Sequence, residues 1–356
     1  PPRSFPPRAP FPAGALPVLF RVSLPRPDPR AMYRFPHEVA YLPQTKLSYV
    51  NLPGLLSDGK RDRTARVPGF VAVQLGDRCF LIFLRDGEPF HAARIEPGRR
   101  EQVALAEVLR VVGTESERGE GGQIAYLGAP EAQLQAMLAT LVQPPLPWTS
   151  GEDARRPDCL FPALRGRAFS GVVELSDGRA HQYLVFENGG FRTGYFCRRD
   201  PGVPVGDYLR SVFTEAGEAL HVGLYAGLPE LPEQAGPGLV DLYRRIVGGV
   251  LREVSAPVGR EAGLELMRRT QAQVMVRRPE VEAFVLTDEG RVRGDPVATP
   301  RTLTDGVAEW VTEALIVAAE RFAVDPAEVV ARVAHDSRFV LAEQGFFARL
   351  PWAVGL

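Results

Sequence analysis

Five histidines, three cysteines and several arginine pairs are the residues of this 356-residue chain that could do chemistry. His37, His91, His181, His221 and His335 stand far apart, with no HxxH, HExxH or CxxC spacing to converge ligands on a metal ion. His91 and Cys79 share one apolar stretch and are the nearest approach to a His–Cys pair. Cys197 precedes Arg198 and Arg199, and positive charge beside a thiol lowers its pKa, the condition for a reactive nucleophile. The competing reading, a small apolar residue at a strand end, is the better one, and no GxSxG marks a serine nucleophile. Residues 119–122 (GEGG) and Gly248-Gly249 lack the surroundings of a phosphate cradle, and read as a flexible loop and as close helix packing. The arginine groups (Arg61, Arg63, Arg66; Arg99, Arg100; Arg244, Arg245; Arg268, Arg269, Arg277, Arg278) have acidic neighbours such as Asp62, Glu96, Glu101, Asp241 and Glu265. They read as solvated surface rather than a face for nucleic acid. No catalytic, metal or cofactor-binding residue is assigned.

Composition sets the frame. A net charge of −1 gives no global pull towards nucleic acid or anionic membrane. With 45% apolar residues the chain is rich enough to bury a core in each of two or three domains. Lys46 and Lys60 are its only lysines, a bias that suggests a GC-rich bacterial genome. Three cysteines cannot all pair with one another, which fits a reducing cytoplasm, and no apolar run reaches the length of a membrane span.

The organising element occurs twice. Residues 69–92 (GFVAVQLGDRCFLIFLRDGEPFHA) align without a gap on residues 171–194 (GVVELSDGRAHQYLVFENGGFRTG). Each has two apolar runs about a polar break, then Asp86-Gly87 or Asn188-Gly189, pairs that tolerate positive φ and favour tight turns. Each copy therefore predicts a three-stranded meander. The second copy has Thr193 and His181 where the first has His91 and Cys79, so that pair is not replicated.

Around the meanders, residues 1–43 hold twelve prolines and read as an extended tail, with residues 1–31 dispensable ahead of Met32. The first repeat spans 44–146: a short helix from Asn51, the meander, a helix through Val103, Val108 and Val112, an acidic loop at 113–122, a strand at 123–127 and a helix after Pro130. The second repeat, 147–254, replays that order and closes with a helix at 238–254 whose Leu239, Leu242, Tyr243, Ile246, Val250 and Leu251 form a stripe wider than one sheet needs. That surplus predicts a join between repeat two and the helical domain. Residues 255–356 turn helical, with a hairpin near 286–292, a buried central helix at 305–322, a start signal at Asp325-Pro326 and a last helix at 337–349. At that end Phe346, Phe347 and Trp352 are the candidate interaction residues, anchors of a partner or self-association surface, with completion of the bundle core as the alternative.

The series Leu52-Pro53-Gly54-Leu55-Leu56, Val67-Pro68-Gly69 and residues 81–92, with residues 169–175 and 183–189 in the second copy, resembles the PATAN-type domains that accompany bacterial response regulators and motility GTPase systems. The resemblance covers about 200 residues and stops before the helical domain. It implies a non-catalytic α+β adaptor. The expectation is thus an α+β protein, two tandem antiparallel-sheet-plus-helix repeats followed by a C-terminal mostly α-helical domain. Its function would be regulatory or scaffolding, through contacts with a protein partner such as a small GTPase or response regulator, or with itself. The alternatives are a small-molecule sensor with its ligand between the repeats, or an enzyme of unrecognised type.

Overall fold

The computed structural model describes residues 34–61, 68–118, 121–149, 151, 153–178, 180–197, 199–230 and 233–354. The first repeat runs β1 (Val39–Lys46), α1 (Leu52–Arg61), β2 (Gly69–Leu75), β3 (Arg78–Arg85), β4 (Glu88–Glu96), β5 (Arg99–Gln102), α2 (Leu105–Arg118), β6 (Gln123–Gly128) and α3 (Glu131–Val142). Its strands form one antiparallel sheet in the order β1-β6-β2-β3-β4-β5. The second runs α4 (Pro157–Gly166), β7 (Gly171–Ser176), β8 (His181–Glu187), β9 (Gly190–Tyr195), α5 (Val205–Ala216) and β10 (His221–Ala226), with sheet order β10-β7-β8-β9. The four strands common to both repeats therefore lie in the same order.

Register agrees to the residue. Gly69 faces Leu84 as Gly171 faces Phe186, and Phe83 faces His91 as Val185 faces Thr193. Both meanders carry a register irregularity at the same place, after Phe83 and after Val185. The turns match too. Asp86 and Gly87 have φ of 52° and 78°, Asn188 and Gly189 have 49° and 77°, the double positive φ of a two-residue hairpin turn.

Alternation along these strands builds a layered stack. Val71, Val73, Phe80, Ile82 and Leu84 pack under α1 and α2, while Phe70, Ala72, Leu81 and Phe83 point the other way, towards Leu134, Met137 and Leu138 of α3. On its far side α3 meets Val172, Tyr183, Val185 and Tyr225 of the second sheet. That sheet's other face, Val173, Leu175, Leu184 and Phe186, is covered by α4 and α5. One helix thus serves as filling for two sheets, which is why the strands read as continuous apolar runs rather than as alternating ones.

The last segment is helical: α6 (Pro237–Val258), α7 (Arg260–Met275), a two-residue ladder of β11 (Val285–Leu286) and β12 (Val292–Arg293), α8 (Pro300–Phe322), α9 (Pro326–Ala334) and α10 (Arg338–Glu343). Trp310 of α8 is fully buried and its indole N–H donates to the Met267 carbonyl at 3.1 Å. Asp325 caps α9 by accepting from the Ala327 and Glu328 amides, as its sequence signal implies. Gly248-Gly249 does mark close packing, since a Cβ on Gly249 would lie 2.5 Å from Val333 Cγ1 of α9. No helix among the described residues is long and apolar enough to cross a membrane.

Four expectations need correction. The tail read across 1–43 gives way from residue 34 on: Phe35 is buried between the repeats, and β1 pairs with β6 despite Pro43. Residues 1–33, with the expectation that 1–31 is dispensable, lie outside the described residues. The acidic loop placed at 113–122 starts later, because α2 continues to Arg118. The surplus stripe on α6 does face the helical domain, but α6 packs as part of that bundle rather than on the sheet of repeat two. Its Val240, Tyr243, Ile246 and Val250 are core of the bundle itself, against α7, α8 and α9. The helix expected at 337–349 breaks at Gly345, where φ is 69°. That break turns Phe346 inward, fully buried beside Tyr243 and Phe347, so Phe346 is a core residue and not a surface anchor. Phe347 and Trp352 are half-buried against the same core, and the exposed aromatic of this end is Phe339.

Phe346→Ala should therefore behave as a core truncation and cost roughly 3–5 kcal/mol in chemical denaturation. Gly249→Ala should cost about 1–3 kcal/mol through overpacking, and adding Val333→Ala should recover part of that loss, because it removes the atoms the new Cβ meets.

Candidate functional site

The concentration of charge that the fold hides lies between the repeats. β7 reads GVVELS, and its alternation sends Val173 and Leu175 towards α4 and α5 but Glu174 towards the first sheet. Glu174 is 1% exposed there. An ionised carboxylate so placed needs opposite charge and donors around it. β5 delivers them, since Arg100 Nη1 lies 2.7 and 2.6 Å from Glu174 Oε1 and Oε2. His181, at the start of β8 and also 1% exposed, places Nδ1 2.7 Å from Oε1, so the imidazole carries its proton on that nitrogen and donates. The Tyr225 hydroxyl donates to Oε2 at 3.4 Å.

The second row of contacts fixes the first. Phe35 stacks on the His181 ring, centroids 5.0 Å apart and planes 10° from parallel. The His181 amide donates to the Arg34 carbonyl at 3.0 Å, so the segment leading into β1 is held by repeat two. Beside it, Gln182 Oε1 accepts from the Cys197 amide at 2.6 Å, the Cys197 thiol donates to the His181 carbonyl, and the Tyr208 hydroxyl donates to the Cys197 carbonyl.

Electrostatics follow from this geometry. Burial pushes the Glu174 carboxyl up, but Arg100 and the His181 hydrogen bond outweigh it and hold the group down at about 2. Burial would lower the Arg100 guanidinium, and the Glu174 charge overrides that and raises it. For His181 burial wins over the Glu174 contact, and its pKa falls below the ordinary value of 6.5. Burial raises Tyr225. At neutral pH the cluster is therefore a carboxylate, a guanidinium and a neutral imidazole. Both carboxylate oxygens are engaged and the acid is strong, which makes Glu174 a poor base; what the arrangement does is fix one repeat against the other.

A smaller junction ties repeat one to the helical segment. Asp295, whose side chain is 5% exposed, accepts from Arg110 of α2 at 2.8 Å and from Arg244 of α6 at 2.9 Å. Gln234 bridges the same way: its amide donates to the Phe90 carbonyl, and its Oε1 accepts from the Leu105 amide at the start of α2.

The residues singled out by type fall elsewhere. Cys79 and His91 are both buried but pair with Ile95 and Phe83 respectively, several residues apart along the β3–β4 ladder. Burial drives the Cys79 thiol upward, away from reactivity. No cluster of three or more His, Cys, Asp or Glu suited to a metal occurs among the described residues. Arg63 and Arg66 lie outside the described residues. Arg277 and Arg278 pair with Glu309, and Arg244 with Asp241 and Asp295, as solvated or bridging ion pairs. Arg100, read as surface with its neighbours, is the exception. The space between the repeats, where a ligand is the alternative expectation, is filled by α3 and Phe35. An open groove of about 930 Å³ lies instead at the α6–α7 junction, beside Arg260, Glu261, Arg268 and Asp288. Its bases are engaged within it, Arg268 on the Asp288 carboxylate and Arg260 on the Asp288 carbonyl.

One signal for the true cluster is present in the sequence: Glu174 is a lone acid inside an apolar strand, where the first repeat has Ala72. The first repeat likewise has Cys79 where the second has His181. No family model, curated protein or solved structure matches this chain.

Removing one member of this buried pair should be severe, and removing both should cost less than the two losses summed. Glu174→Gln or Arg100→Met should each cost roughly 3–5 kcal/mol, while Glu174→Leu combined with Arg100→Met should fall clearly below the sum of the two single changes, the remaining loss coming from the His181 and Tyr225 donors left without their acceptor. The pH dependence has a fixed sign. Glu174 falls from an ordinary 4.5 to about 2 on folding, so its contribution is fully present above 4.5 and is lost as pH falls towards 2. The depressed His181 acts in the same direction, beginning below its ordinary 6.5. Denaturation midpoints measured from pH 7 to pH 3 should fall, and Glu174→Gln should flatten the part of that fall below 4.5.

Proposed function

We propose that this chain is a non-catalytic regulatory scaffold of a bacterial cytoplasm, working through contacts with a protein partner. The observation that carries the reading is the use made of its buried charge. Glu174, His181 and Arg100 join the two repeats, and Asp295 joins repeat one to the helical segment, so the groups best suited to acid–base chemistry hold modules in fixed relation. A fixed relation between modules is what a protein needs to present a composite surface.

The resemblance of both repeats to PATAN-type domains supports the same reading and suggests the partner: a small GTPase of a motility system or a response regulator. Calorimetry with the full chain tests it, against the GTPase in its GTP and GDP states and against the regulator with and without a phosphoryl mimic, both taken from the same genome. Binding at micromolar Kd to one state in preference to the other is expected. Equal affinity for both states, or none for either protein, would sink the reading, since a ligand that does not discriminate states cannot transmit them.

A further inference from the structure

Each of the two large sheets has two outer strands, and three of these four edges are managed. β5 is only four residues long. β1 contains Pro43 and has two register irregularities against β6. The linker covers β10, with the Leu146 amide donating to the Leu224 carbonyl at 2.7 Å. Short length, proline, irregularity and cover are the usual means by which a sheet avoids pairing with a stranger. Among the described residues β9 has none of them except one irregularity opposite Val185–Phe186, and β4 has the same one and pairs outward all the same.

The repeat shows what belongs there. On β4 the outward carbonyl of Ala92 accepts from the Val103 amide and that of Phe90 from the Gln234 amide, and β5 pairs antiparallel with Ala93 to Glu96. By the shared register the equivalent carbonyls are those of Gly194 and Arg192. Among the described residues no backbone donor reaches either. Gly190, Phe191 and Arg192 are exposed, Phe191 to 45%.

We propose that β9 pairs antiparallel with β9 of a second copy of this chain, continuing the four-stranded sheet across a twofold axis. An antiparallel strand is what covers the equivalent edge in repeat one, and a strand meeting itself about a twofold axis is antiparallel by symmetry. The sequence GFRTGY permits it. Centred on Thr193, the pairing sets Thr193 opposite the second copy's Thr193 and Arg192 opposite its Gly194, so the strand's one charge does not face itself. The inference stands on the repeat comparison and is independent of the scaffold reading.

Sedimentation velocity of the full chain from about 1 to 100 μM, with amide hydrogen exchange at both ends of that range, tests it. A monomer–dimer equilibrium is expected, with the amides of Arg192 and Gly194 exchanging roughly tenfold more slowly at the high concentration while those of β1 do not change. Arg192→Pro removes an outward donor at a residue with no partner on β8, and should abolish the dimer while the melting temperature holds. If that variant does not fold, exchange in the native chain decides alone. A chain that stays monomeric across the range, including one whose β9 is reserved for a different protein, overturns the proposal, as does a dimer whose β9 amides exchange unchanged.

Discussion

A carboxylate taken out of water costs several kcal/mol unless opposite charge and donors meet it in good geometry. Glu174 is met only while β5 of one repeat lies against β7 of the other, so the two repeats cannot separate or slide without leaving that charge unmatched. Apolar contact across α3 also joins the repeats, yet apolar contact is indifferent to small displacements. The Arg100–Glu174 pair is not, because two donor–acceptor distances must hold at once. The apolar layer holds the repeats together, and the ion pair specifies how.

The repeats are alike in their strands and unlike in their closing helices. In each, a helix comes after the last strand of the sheet: α3 after β6 and α6 after β10. α3 turns back and packs between the sheets, so that the second sheet needs no returning helix of its own. α6 is thereby released, and its wide apolar stripe becomes the floor of the helical bundle. The same asymmetry leaves the second sheet four strands wide where the first has six, since β1 and β5 have no counterparts.

Periodic and local features are legible in the sequence. The α+β class, both meanders, the Asp86-Gly87 and Asn188-Gly189 turns and the Asp325 cap all depend on residues close together in the chain, whose preferences act before tertiary structure forms. The features that escape depend on distance. Arg100 and Glu174 are 74 positions apart, and nothing near Arg100 distinguishes it from Arg99, which remains on the surface beside Glu101. The strand β1 is hidden by its proline, because Pro43 argues against a central strand but not against an edge. Phe346 is misplaced because a helix of six residues ends at a left-handed Gly345, where a longer helix would have carried the ring outward. The apolar stripe of α6 is legible as surplus that meets the helical domain, but not as part of that bundle, since a stripe states how much it buries and not to which layer its own helix belongs.

The two junctions that organise the chain differ in stiffness. Arg100 is mostly shielded and grips a carboxylate that is 1% exposed, so solvent screens that contact little. At the other junction Asp295 is nearly as buried, but of its two partners only Arg244, on α6, is shielded; Arg110, which comes from repeat one, is 60% exposed. An exposed guanidinium contributes at most about 1 kcal/mol, so Asp295 is fastened chiefly within its own helical segment. The ties between repeat one and that segment are then the Leu105–Gln234 and Phe90–Gln234 hydrogen bonds, with Ala106 buried in the bundle core. Apart from Phe90, both junctions spring from one stretch of repeat one, residues 100 to 110, in β5 and the first turns of α2. Of the two, the junction to the helical segment has the weaker charge contact.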